Sequence, residues 1–348
     1  MKSAETRPLS VLTPYLFQRG SNKVVNVGDG MILRAVERRL GSFQPALTLT
    51  SRAAPTPEQE QTLLDSAATI LAGANQLDDH FTPWPGMTAD ALRHSSHIFV
   101  PMGVGIHGDQ HRNKLMADNT RQVLAIIHER VSYSSWRCPM TAAYLLREMP
   151  ELGSKVLMTG CPVLYDKPLL ESSIFTENRD VIAVTATERD DFWTRETLTI
   201  DFVARSFPSS RKVLAVHQDY LARKKPVIAD HLLGAAGKSA HGLRRYAKAH
   251  GFDVITPATQ EEAIAFYRTA GMHFGSRLHA HLHMLSQNKP SFLTKVDERS
   301  TGIAEHFGFP LCDAARFADY MDFDFEAVRQ AALRTFPVMQ KFVESIGR

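Results

Sequence analysis

Cysteine is scarce in this chain of 348 residues, and the few that occur exclude two kinds of scaffold. The cysteines are odd in number, lie far apart and form no CxxC pair; they are Cys138, Cys161 and Cys312. Neither a disulfide framework nor a zinc ribbon is indicated by such a set. We therefore expect a protein of a reducing compartment.

Long apolar runs are also missing. No run of about 18 apolar residues occurs, so we expect no membrane-spanning helix. Near the N-terminus, the one apolar stretch is interrupted by Pro14, Gln18 and Arg19, which argues against a signal peptide. These absences predict a cytoplasmic protein and leave open a peripheral association with the inner face of the membrane.

Strong charge of either sign is absent too. The net charge is +3 with the 15 histidines taken as neutral, an excess too small to indicate a nucleic-acid-binding protein. A mildly basic chain is compatible with small anionic substrates. The sequence also contains no internal repeat and no low-complexity segment.

What the sequence does contain is an alternation of short apolar segments with helix-like patterns. Val156–Met158 and Val181–Thr185, for example, are typical of buried strands that end in a turn. This alternation predicts parallel α/β sheets, and the length of the chain predicts two domains. We expect an α/β fold with two Rossmann-like parallel-sheet domains that face each other across a cleft. The predicted division is residues 1–165 for the N-terminal domain, 166–179 for the linker, 180–324 for the C-terminal domain and 325–348 for a C-terminal helix, with packing back on the N-terminal domain as one option.

The stretch from residue 272 to residue 293 reads as strand, turn, helix, turn and strand. Residues 272–274 are apolar enough for a short buried strand, and Ser276 in the turn after them is a good helix N-cap. Leucine then recurs at helical spacing, at Leu278, Leu282 and Leu285. A helix N-terminus favours an anion because its N–H groups carry partial positive charge. The stretch therefore predicts an anion site at Arg277, with His279 beside it as a titratable base.

A second turn precedes an amphipathic pattern near the N-terminus. Asn26, Gly28, Asp29 and Gly30 form this turn, and apolar residues follow it at helical spacing. Two interpretations stay open. The residues form either a glycine turn capped by Asp29 or a loop at a helix start that faces a cleft.

The loops at the predicted strand ends carry short motifs in a fixed order. They are Asn26-Val-Gly28-Asp29, Gly73-Ala74-Asn75, Gly103-Val-Gly105, Arg137 with Thr141, Thr159-Gly160-Cys161-Pro162, the segment GSRLH at 275–279 with Pro290, and the segment 297–302 with Glu305. In this order, and spread over most of the chain, they resemble the motifs of the polysaccharide pyruvyltransferases. The resemblance implies a two-domain fold like that of GT-B glycosyltransferases.

Some positions depart from the pattern of that family. Cys138 and Cys161 stand where the family has aspartate, Arg299 stands where it usually has lysine, and Asn288 with Lys289 replaces a glycine-containing turn. These departures keep a second interpretation open, namely a GT-B-like glycosyltransferase that uses a nucleotide sugar in polysaccharide synthesis. A non-catalytic binding module with the same fold is a third.

The resemblance implies that the C-terminal domain binds phosphoenolpyruvate as donor. The pyruvyl group would pass to two hydroxyls of a sugar, in a surface polysaccharide or its precursor, and form a cyclic ketal. Arginine suits the phosphate and the carboxylate of this donor through its planar fork of N–H groups. The donor-binding arginine of the family corresponds to Arg277, and its catalytic histidine corresponds to His279. Further donor-binding residues that we expect are Ser276, Arg189, Arg299 and Lys295.

The N-terminal domain is the acceptor side in this interpretation. Asn26 and Asp29 either bind acceptor hydroxyls or cap the helix that follows, and Arg137 is expected to brace the face between the domains.

His279 and His283 have the i, i+4 spacing of a metal pair, but no carboxylate ligand is obvious nearby, so we expect no metal. We also expect no cofactor and no nucleic-acid partner. The acceptor is expected to be a sugar or a lipid-linked sugar, and the oligomeric state is left open.

Overall fold

A computed structural model of the chain describes residues 8–17, 25–41, 45–107, 114–218 and 240–346, without the side chains of Asp190, Ala240, Glu298 and Arg299. The described strands form a four-stranded sheet, a six-stranded sheet and a two-stranded sheet. All of the strand pairs are parallel. The α/β class with two parallel-sheet domains, predicted from the sequence, is therefore confirmed.

The first domain contains six of the described strands. They are β1 (Ser10–Thr13), β2 (Thr48–Thr50), β3 (Thr69–Ala72), β4 (Phe99–Met102), β5 (Ser134–Trp136) and β6 (Val156–Met158). The first four form one sheet in the order β2-β1-β3-β4, and β5 pairs with β6. A parallel bridge between Val104 and Trp136 connects the four-stranded sheet to this pair.

The second domain also contains six of the described strands. They are β7 (Val181–Thr185), β8 (Arg211–Ala215), β9 (Phe252–Ile255), β10 (Met272–Gly275), β11 (Ser291–Thr294) and β12 (Leu311–Cys312). Their order is β12-β11-β10-β7-β8-β9, so the direction in which strands are added reverses between β7 and β10. In open α/β sheets, ligands bind outside the carboxyl ends of the strands at such a reversal.

Helices cover the sheets and connect the strands. Those described are α1 (Val27–Arg39), α2 (Pro57–Asp65), α3 (Ala89–His94), α4 (Asp118–Arg130), α5 (Pro139–Glu148), α6 (Lys167–Glu171), α7 (Trp193–Ser206), α8 (Ala240–Ala249), α9 (Gln260–Thr269), α10 (Leu278–Ser286), α11 (Glu298–Phe307) and α12 (Glu326–Glu344). Within the described ranges, no helix combines the length and the apolar character that a membrane span requires.

Helices α1 and α10 belong to different domains and pack against each other. At their N-terminal ends, Gly28 of α1 lies against His279 of α10. At their C-terminal ends, Asp166 contacts both: Nη1 of Arg38 is 2.5 Å from Oδ1, and Nε2 of Gln287 donates to Oδ2 at 2.7 Å. The two helices therefore run parallel, with both N-termini on the same side of the interface.

One buried apolar cluster extends through both domains. It includes Val27, Met31 and Ile32 of α1 together with Leu282 and Met284 of α10, none of them more than 2% exposed. Apolar burial stabilises such a contact in proportion to the area removed from water. The relative position of α1 and α10 is therefore held by the same kind of packing that holds the interior of each domain.

The last helix, α12, follows the second domain in sequence and packs against both domains. It contacts α11 of the second domain and β5 and β6 of the first. Its Phe336 packs on Tyr165 with ring centroids 5.3 Å apart, and Nζ of Lys341 is 4.5 Å from the centroid of the Tyr133 ring. The chain thus passes from the first domain to the second near residue 166 and returns before α12.

Candidate active site

A cleft of ≈240 Å³ lies where the carboxyl ends of the two sheets meet. It is lined from both domains, and it includes the reversal point between β7 and β10. The cleft brings together seven residues that the sequence predicted as site residues: Asn26, Asp29, Arg137, Arg189, Ser276, Arg277 and His279.

The turn after β10 depends on a glycine. Gly275 has a φ of +136°, which L side chains rarely adopt, and a Cβ at this position would overlap the carbonyl group of Thr185. This close approach allows the N–H of Ser276 to donate to the Thr185 carbonyl oxygen at 3.2 Å. The N–H of Arg277 donates to Oγ1 of Thr185, also at 3.2 Å. The turn is thereby fastened to the end of the neighbouring strand β7.

The helix after this turn starts one residue later than the sequence pattern predicts. It begins at Leu278 with Arg277 in the N-cap position and without a side-chain cap, so the prediction that Ser276 caps it is wrong. Oγ of Ser276 instead lies 3.0 Å from Oγ1 of Thr187. Because no side chain occupies the cap, the first N–H groups of α10 can donate to an anion in the cleft.

The guanidinium of Arg277 is held from two strand ends. Its Nε donates to the carbonyl oxygen of Ala186, after β7, at 2.9 Å. Its Nη1 donates to Oε1 of Gln218, after β8, at 3.0 Å. These two bonds restrict the rotation of the side chain, so the positive charge is positioned before a ligand arrives.

His279 lies where the first turns of α10 and α1 meet. A Cβ built on Gly28 would be 3.0 Å from Nδ1 of His279 and 3.6 Å from Nδ1 of His217. Glycine at position 28 therefore makes room for both rings. The N–H of Val27 donates to the carbonyl oxygen of His217 at 3.2 Å, which joins the start of α1 to the end of β8.

The start of α1 bears on both interpretations of the Asn26–Gly30 turn. Asn26 is the N-cap, because its Oδ1 accepts from the N–H of Gly28 at 3.1 Å, so the interpretation in which Asp29 is the cap is wrong on that point. Asp29 lies in the first turn of the helix, where its Oδ2 is 3.4 Å from Nη2 of Arg52. Both Asn26 and Asp29 line the cleft, so this turn is a helix start that faces it.

Arg137 reaches the cleft although it is only 1% exposed. Its Nη2 donates to Oδ1 of Asn75 in a short contact. A side chain on Gly105 would overlap the guanidinium, so glycine is required there for the approach of this arginine.

The thiol of Cys161 lies near Arg137. Burial raises the pKa of this thiol to about 11, although the charge of Arg137 acts to lower it. Cys161 is therefore a neutral thiol at pH 7 and adds no negative charge beside Arg137.

The other positively charged residues that the sequence predicted to bind the donor occupy different positions relative to the cleft. Arg189 lines the cleft, with Nη2 3.0 Å from Oδ2 of Asp191 and the guanidinium 5.1 Å from the centroid of the Phe192 ring. Lys295 is exposed and is not among the described residues that line the cleft. The side chain of Arg299 lies outside the described part of the chain.

His217 and Gln218 line the cleft, but sequence reasoning did not select them as site residues. Nε2 of His217 is 2.6 Å from the hydroxyl of Tyr267. The pKa of His217 lies well below its usual value. Burial is the largest cause, and the charge of Arg277 and two neighbouring histidines lower it further. The signal that could have found both residues is their place directly after a buried strand, which is also the place of Arg277 relative to β10.

A buried chain of polar side chains lies behind the turn at 275–277. Oγ1 of Thr185 is 2.7 Å from Nε2 of His273, and Nδ1 of His273 is 2.8 Å from Oγ of Ser291. Nδ1 of His281 is 2.8 Å from the same Oγ. Burial lowers the pKa of His273 to about 3 and that of His281 well below its usual value. Both rings are therefore neutral at pH 7 and belong to the interior of the second domain.

His283 is also an interior residue. Burial, and next the charge of Arg38, lowers its pKa to about 3. Within the described residues, no group of three or more histidine, cysteine, aspartate or glutamate side chains is arranged to hold a metal ion.

The chain is similar in fold to several proteins of known structure. No protein-family model and no curated protein matches the sequence. A crystal structure of UDP-N-acetylglucosamine 2-epimerase matches with a TM-score of 0.52 at 11% identity, over 97% of this chain and 94% of that one. UDP-GlcNAc 2-epimerase from Neisseria meningitidis bound to UDP-GlcNAc matches with a TM-score of 0.50 at 12% identity, over 96% and 98%. The S. aureus MnaA–UDP co-structure matches with a TM-score of 0.50 at 12% identity, over 95% and 92%.

Identities this low show a shared fold alone. The two parallel sheets, the cleft between them and these structural neighbours together place the chain among α/β proteins with a GT-B-like fold.

Proposed function

We propose that the protein is a transferase that binds the phosphate of an anionic donor in the cleft and transfers a group from that donor to a sugar. The observation that carries the proposal is the position of Arg277. Its guanidinium is held by Ala186 and Gln218 at the N-terminal end of α10, inside a cleft between two domains. A planar fork of N–H donors at a helix N-terminus suits phosphate oxygens.

The remaining charges of the cleft support an anionic ligand. Arg137 and Arg189 line it together with Arg277, whereas the described lining residues with carboxylates are Asp29 and Asp297. The N-terminus of α1 faces the same space as that of α10, and each helix end adds partial positive charge. The cleft therefore has an excess of positive charge at the place where a phosphate would lie.

His279 is the residue that we assign to proton transfer. It stands at the first turn of α10, beside Gly28 and two positions from Arg277. Histidine is the side chain whose usual pKa allows it to give and take protons near neutral pH. In a transfer reaction it would take the proton of the attacking sugar hydroxyl.

Phosphoenolpyruvate is the donor that the sequence motifs favour. In ketal formation, the methylene carbon of this donor takes a proton and its central carbon gains bonds to two sugar hydroxyl oxygens. The bond from the central carbon to the phosphate oxygen breaks, and phosphate leaves. The two hydroxyl protons balance the proton gained by the methyl group and the proton that leaves with phosphate. Arg277 and Ser276 would hold one anionic end of the donor, and Arg189 would hold the other. His279 would move the protons.

A nucleotide sugar is the second candidate donor, and the structural comparisons favour it over phosphoenolpyruvate. The neighbours reported above are described as bound to UDP or to UDP-GlcNAc, or as a UDP-N-acetylglucosamine 2-epimerase. A nucleotide diphosphate would use the same arginine and the same helix N-termini. The protein would then be a glycosyltransferase that modifies a sugar of a surface polysaccharide or its precursor.

Thermal unfolding with phosphoenolpyruvate, UDP and UDP-GlcNAc as separate ligands distinguishes these donors. A ligand present at about 100 times its Kd stabilises the folded protein by about 2.7 kcal/mol. We expect the stabilisation to disappear in Arg277→Ala, because hydrogen bonds to charged groups contribute about 1.5–3 kcal/mol each. His279→Ala is the matched control, since it should keep donor binding and lose turnover.

The outcomes separate the proposals. Stabilisation by phosphoenolpyruvate that is lost in Arg277→Ala supports pyruvyl transfer. A response to UDP or UDP-GlcNAc alone overturns pyruvyl transfer and supports the glycosyltransferase. A folded protein that responds to none of these ligands would contradict both and favour a non-catalytic binding module.

A further inference from the structure

A second pocket, of ≈450 Å³, adjoins the cleft on the first domain. We name it the side pocket, and the residues that define it are Ser51, Gln76, Asp78, Phe81, Met87 and Asn119. Its wall is formed by the loops that follow β2 and β3 and by the first turn of α4. It therefore opens at the same edge of the first sheet that contributes to the cleft, which is the edge where α/β folds bind ligands.

The side pocket and the cleft share a wall. Asn75 lines both of them, and Nη2 of Arg137 donates to its Oδ1. Asp29 lines the cleft, and its ion-pair partner Arg52, at 3.4 Å, lines the side pocket. A ligand in the side pocket would therefore lie beside the groups that line the proposed donor site.

The backbone at this shared wall is strained. Ala74, the residue before Asn75, has a φ of +57°, in the left-handed region that residues other than glycine seldom occupy. A conformation of this kind persists where the surrounding structure imposes it, often at ligand sites. Here it directs the chain from Gly73 into Asn75, the residue common to both pockets.

The side chains of the side pocket suit a neutral ligand with many hydroxyl groups. Hydroxyls and amides, which both donate and accept, predominate at Ser51, Gln76 and Asn119, next to the apolar surface of Phe81 and Met87. Gln76 is built into this wall: its Oε1 accepts from Oγ of Ser51 at 2.9 Å, and its Nε2 donates to the carbonyl oxygen of Gly73 at 2.6 Å. A sugar presents the same combination of hydroxyl groups and apolar ring faces.

The charges of the side pocket do not match an anion. Its arginine, Arg52, is engaged with Asp29 and donates from Nε to the carbonyl oxygen of Pro14 at 2.6 Å. Asp78 contributes a carboxylate, whose Oδ1 accepts from the N–H of His80 at 2.8 Å. This contrasts with the cleft, where three arginines line the space.

We infer that the side pocket binds a neutral hexose unit of the acceptor and presents its hydroxyls to the cleft past Asn75. The inference rests on the proposed transferase function, and it specifies the chemical class of the acceptor. A donor bound at Arg277 and a sugar bound in the side pocket would meet at the wall formed by Asn75, Asp29 and Arg52.

Ligand-detected NMR with small glycosides tests the inference. The probes are methyl β-D-galactopyranoside and methyl β-D-glucopyranoside as neutral sugars and methyl β-D-glucuronide as the anionic counterpart. We expect saturation transfer from the wild-type protein to at least one neutral probe. Asn119→Trp, on the exposed first turn of α4, should reduce this transfer at least fivefold, because an indole there would fill the mouth of the pocket. Glu129→Trp, exposed near the other end of the same helix, is the matched control and should leave the transfer unchanged.

Donor binding is measured in parallel, so that failure of this inference is distinguished from failure of the proposed function. Asn119→Trp should keep the thermal stabilisation by the donor, and Arg277→Ala should keep sugar binding. The inference is overturned if neither neutral probe binds while a donor does, if only the glucuronide binds, or if Asn119→Trp binds the sugar as the wild type does. If neither a donor nor a sugar binds, the proposed transferase function falls as well.

Discussion

At the scale of single residues, Thr185 connects the proposed donor site to the interior of the second domain. Its Oγ1 accepts from the N–H of Arg277, so its own hydroxyl proton can go to Nε2 of His273. His273 then carries its proton on Nδ1 and donates to Ser291, whose hydroxyl donates to Nδ1 of His281. Each of these contacts is satisfied with both rings neutral. The backbone of Arg277, the proposed donor-binding arginine, is thus supported by a buried chain that contains no charge.

Replacement of Thr185 by valine should weaken both the fold and donor binding. Valine has nearly the same shape but leaves the N–H of Arg277 and Nε2 of His273 without their partner, and a buried unsatisfied group costs about 1–3 kcal/mol. We expect Thr185→Val to lower the free energy of unfolding by about 2 kcal/mol and to weaken the donor, measured by urea unfolding and by ligand titration. Thr185→Ser keeps the hydroxyl and should restore affinity; equal defects in the two variants would contradict this role.

Some site residues could be predicted from the sequence, and others could not. Arg277 and His279 directly follow a buried strand inside a recognisable motif, and both line the cleft. His217 follows a strand as well, but nothing local shows that its ring packs on Tyr267 and faces α1. The ion pair of Arg189 with Asp191 likewise depends on side-chain conformations that residue types do not specify.

At the scale of elements, the parallel packing of α1 and α10 brings His279 to the first turn of a helix from the other domain. Sequence periodicity predicted both helices but not their contact, because contact partners distant in sequence leave no local pattern. The exact start of α10 was missed for a related reason. Gly275 extends β10 by pairing with Thr185 on β7, and this moves the helix start to Leu278.

A methyl group at position 28 should disturb the position of His279 while the helix stays folded. The Cβ of Gly28→Ala would be 3.0 Å from Nδ1 of His279 and 3.2 Å from Oδ1 of the N-cap Asn26, both tighter than ordinary contact, so both side chains must shift slightly. Alanine is a better helix former than glycine by roughly 0.5–1 kcal/mol. Because this gain opposes the tight contact with the N-cap, we expect little change in thermal stability, a shifted His279 signal in side-chain NMR and lower turnover. Arg34→Ala, on an exposed position of the same helix, should change none of these, and an unperturbed His279 in Gly28→Ala would refute the contact.

At the scale of the whole molecule, several histidines are buried in the neutral form. Burial lowers the pKa of His97 and His128 to about 4 and that of His273 and His283 to about 3. In the unfolded chain, a histidine has a pKa of about 6.5. Below that pH the unfolded chain binds protons that the folded chain does not, so stability is full above pH 6.5 and is lost as the pH falls.

Acid should therefore destabilise the protein steeply. Each such histidine lowers the free energy of unfolding by about 2 kcal/mol at pH 5, which follows from about 1.4 kcal/mol per pH unit below the unfolded pKa. Four of them together approach the total stability of an ordinary domain, about 5–15 kcal/mol. We expect the urea midpoint to be nearly constant from pH 8 to pH 7 and to fall sharply between pH 6.5 and pH 5. A midpoint that stays constant down to pH 5 would show that these rings are not buried as neutral groups.

The two-sheet architecture could be predicted from the sequence because strands buried in parallel sheets appear as apolar segments between helices. The apolar core that the two domains share could not be predicted from the sequence. An apolar residue such as Met31 or Leu282 has the same appearance whether it faces its own sheet or a helix of the other domain, and here both belong to one cluster. The return of α12 to the first domain is equally a matter of tertiary packing.

If an anion binds in the cleft as proposed, the parallel arrangement of α1 and α10 makes the domain interface responsive to that anion. Two like-charged helix ends are held side by side at the cleft, and they repel each other when no anion lies between them. An anion between them cancels this repulsion. Its interaction with each helix end is worth about 0.3–1 kcal/mol when the site is exposed to solvent. By thermodynamic reciprocity, whatever draws the two domains together strengthens anion binding, and the bound anion in turn becomes part of what holds the domains together.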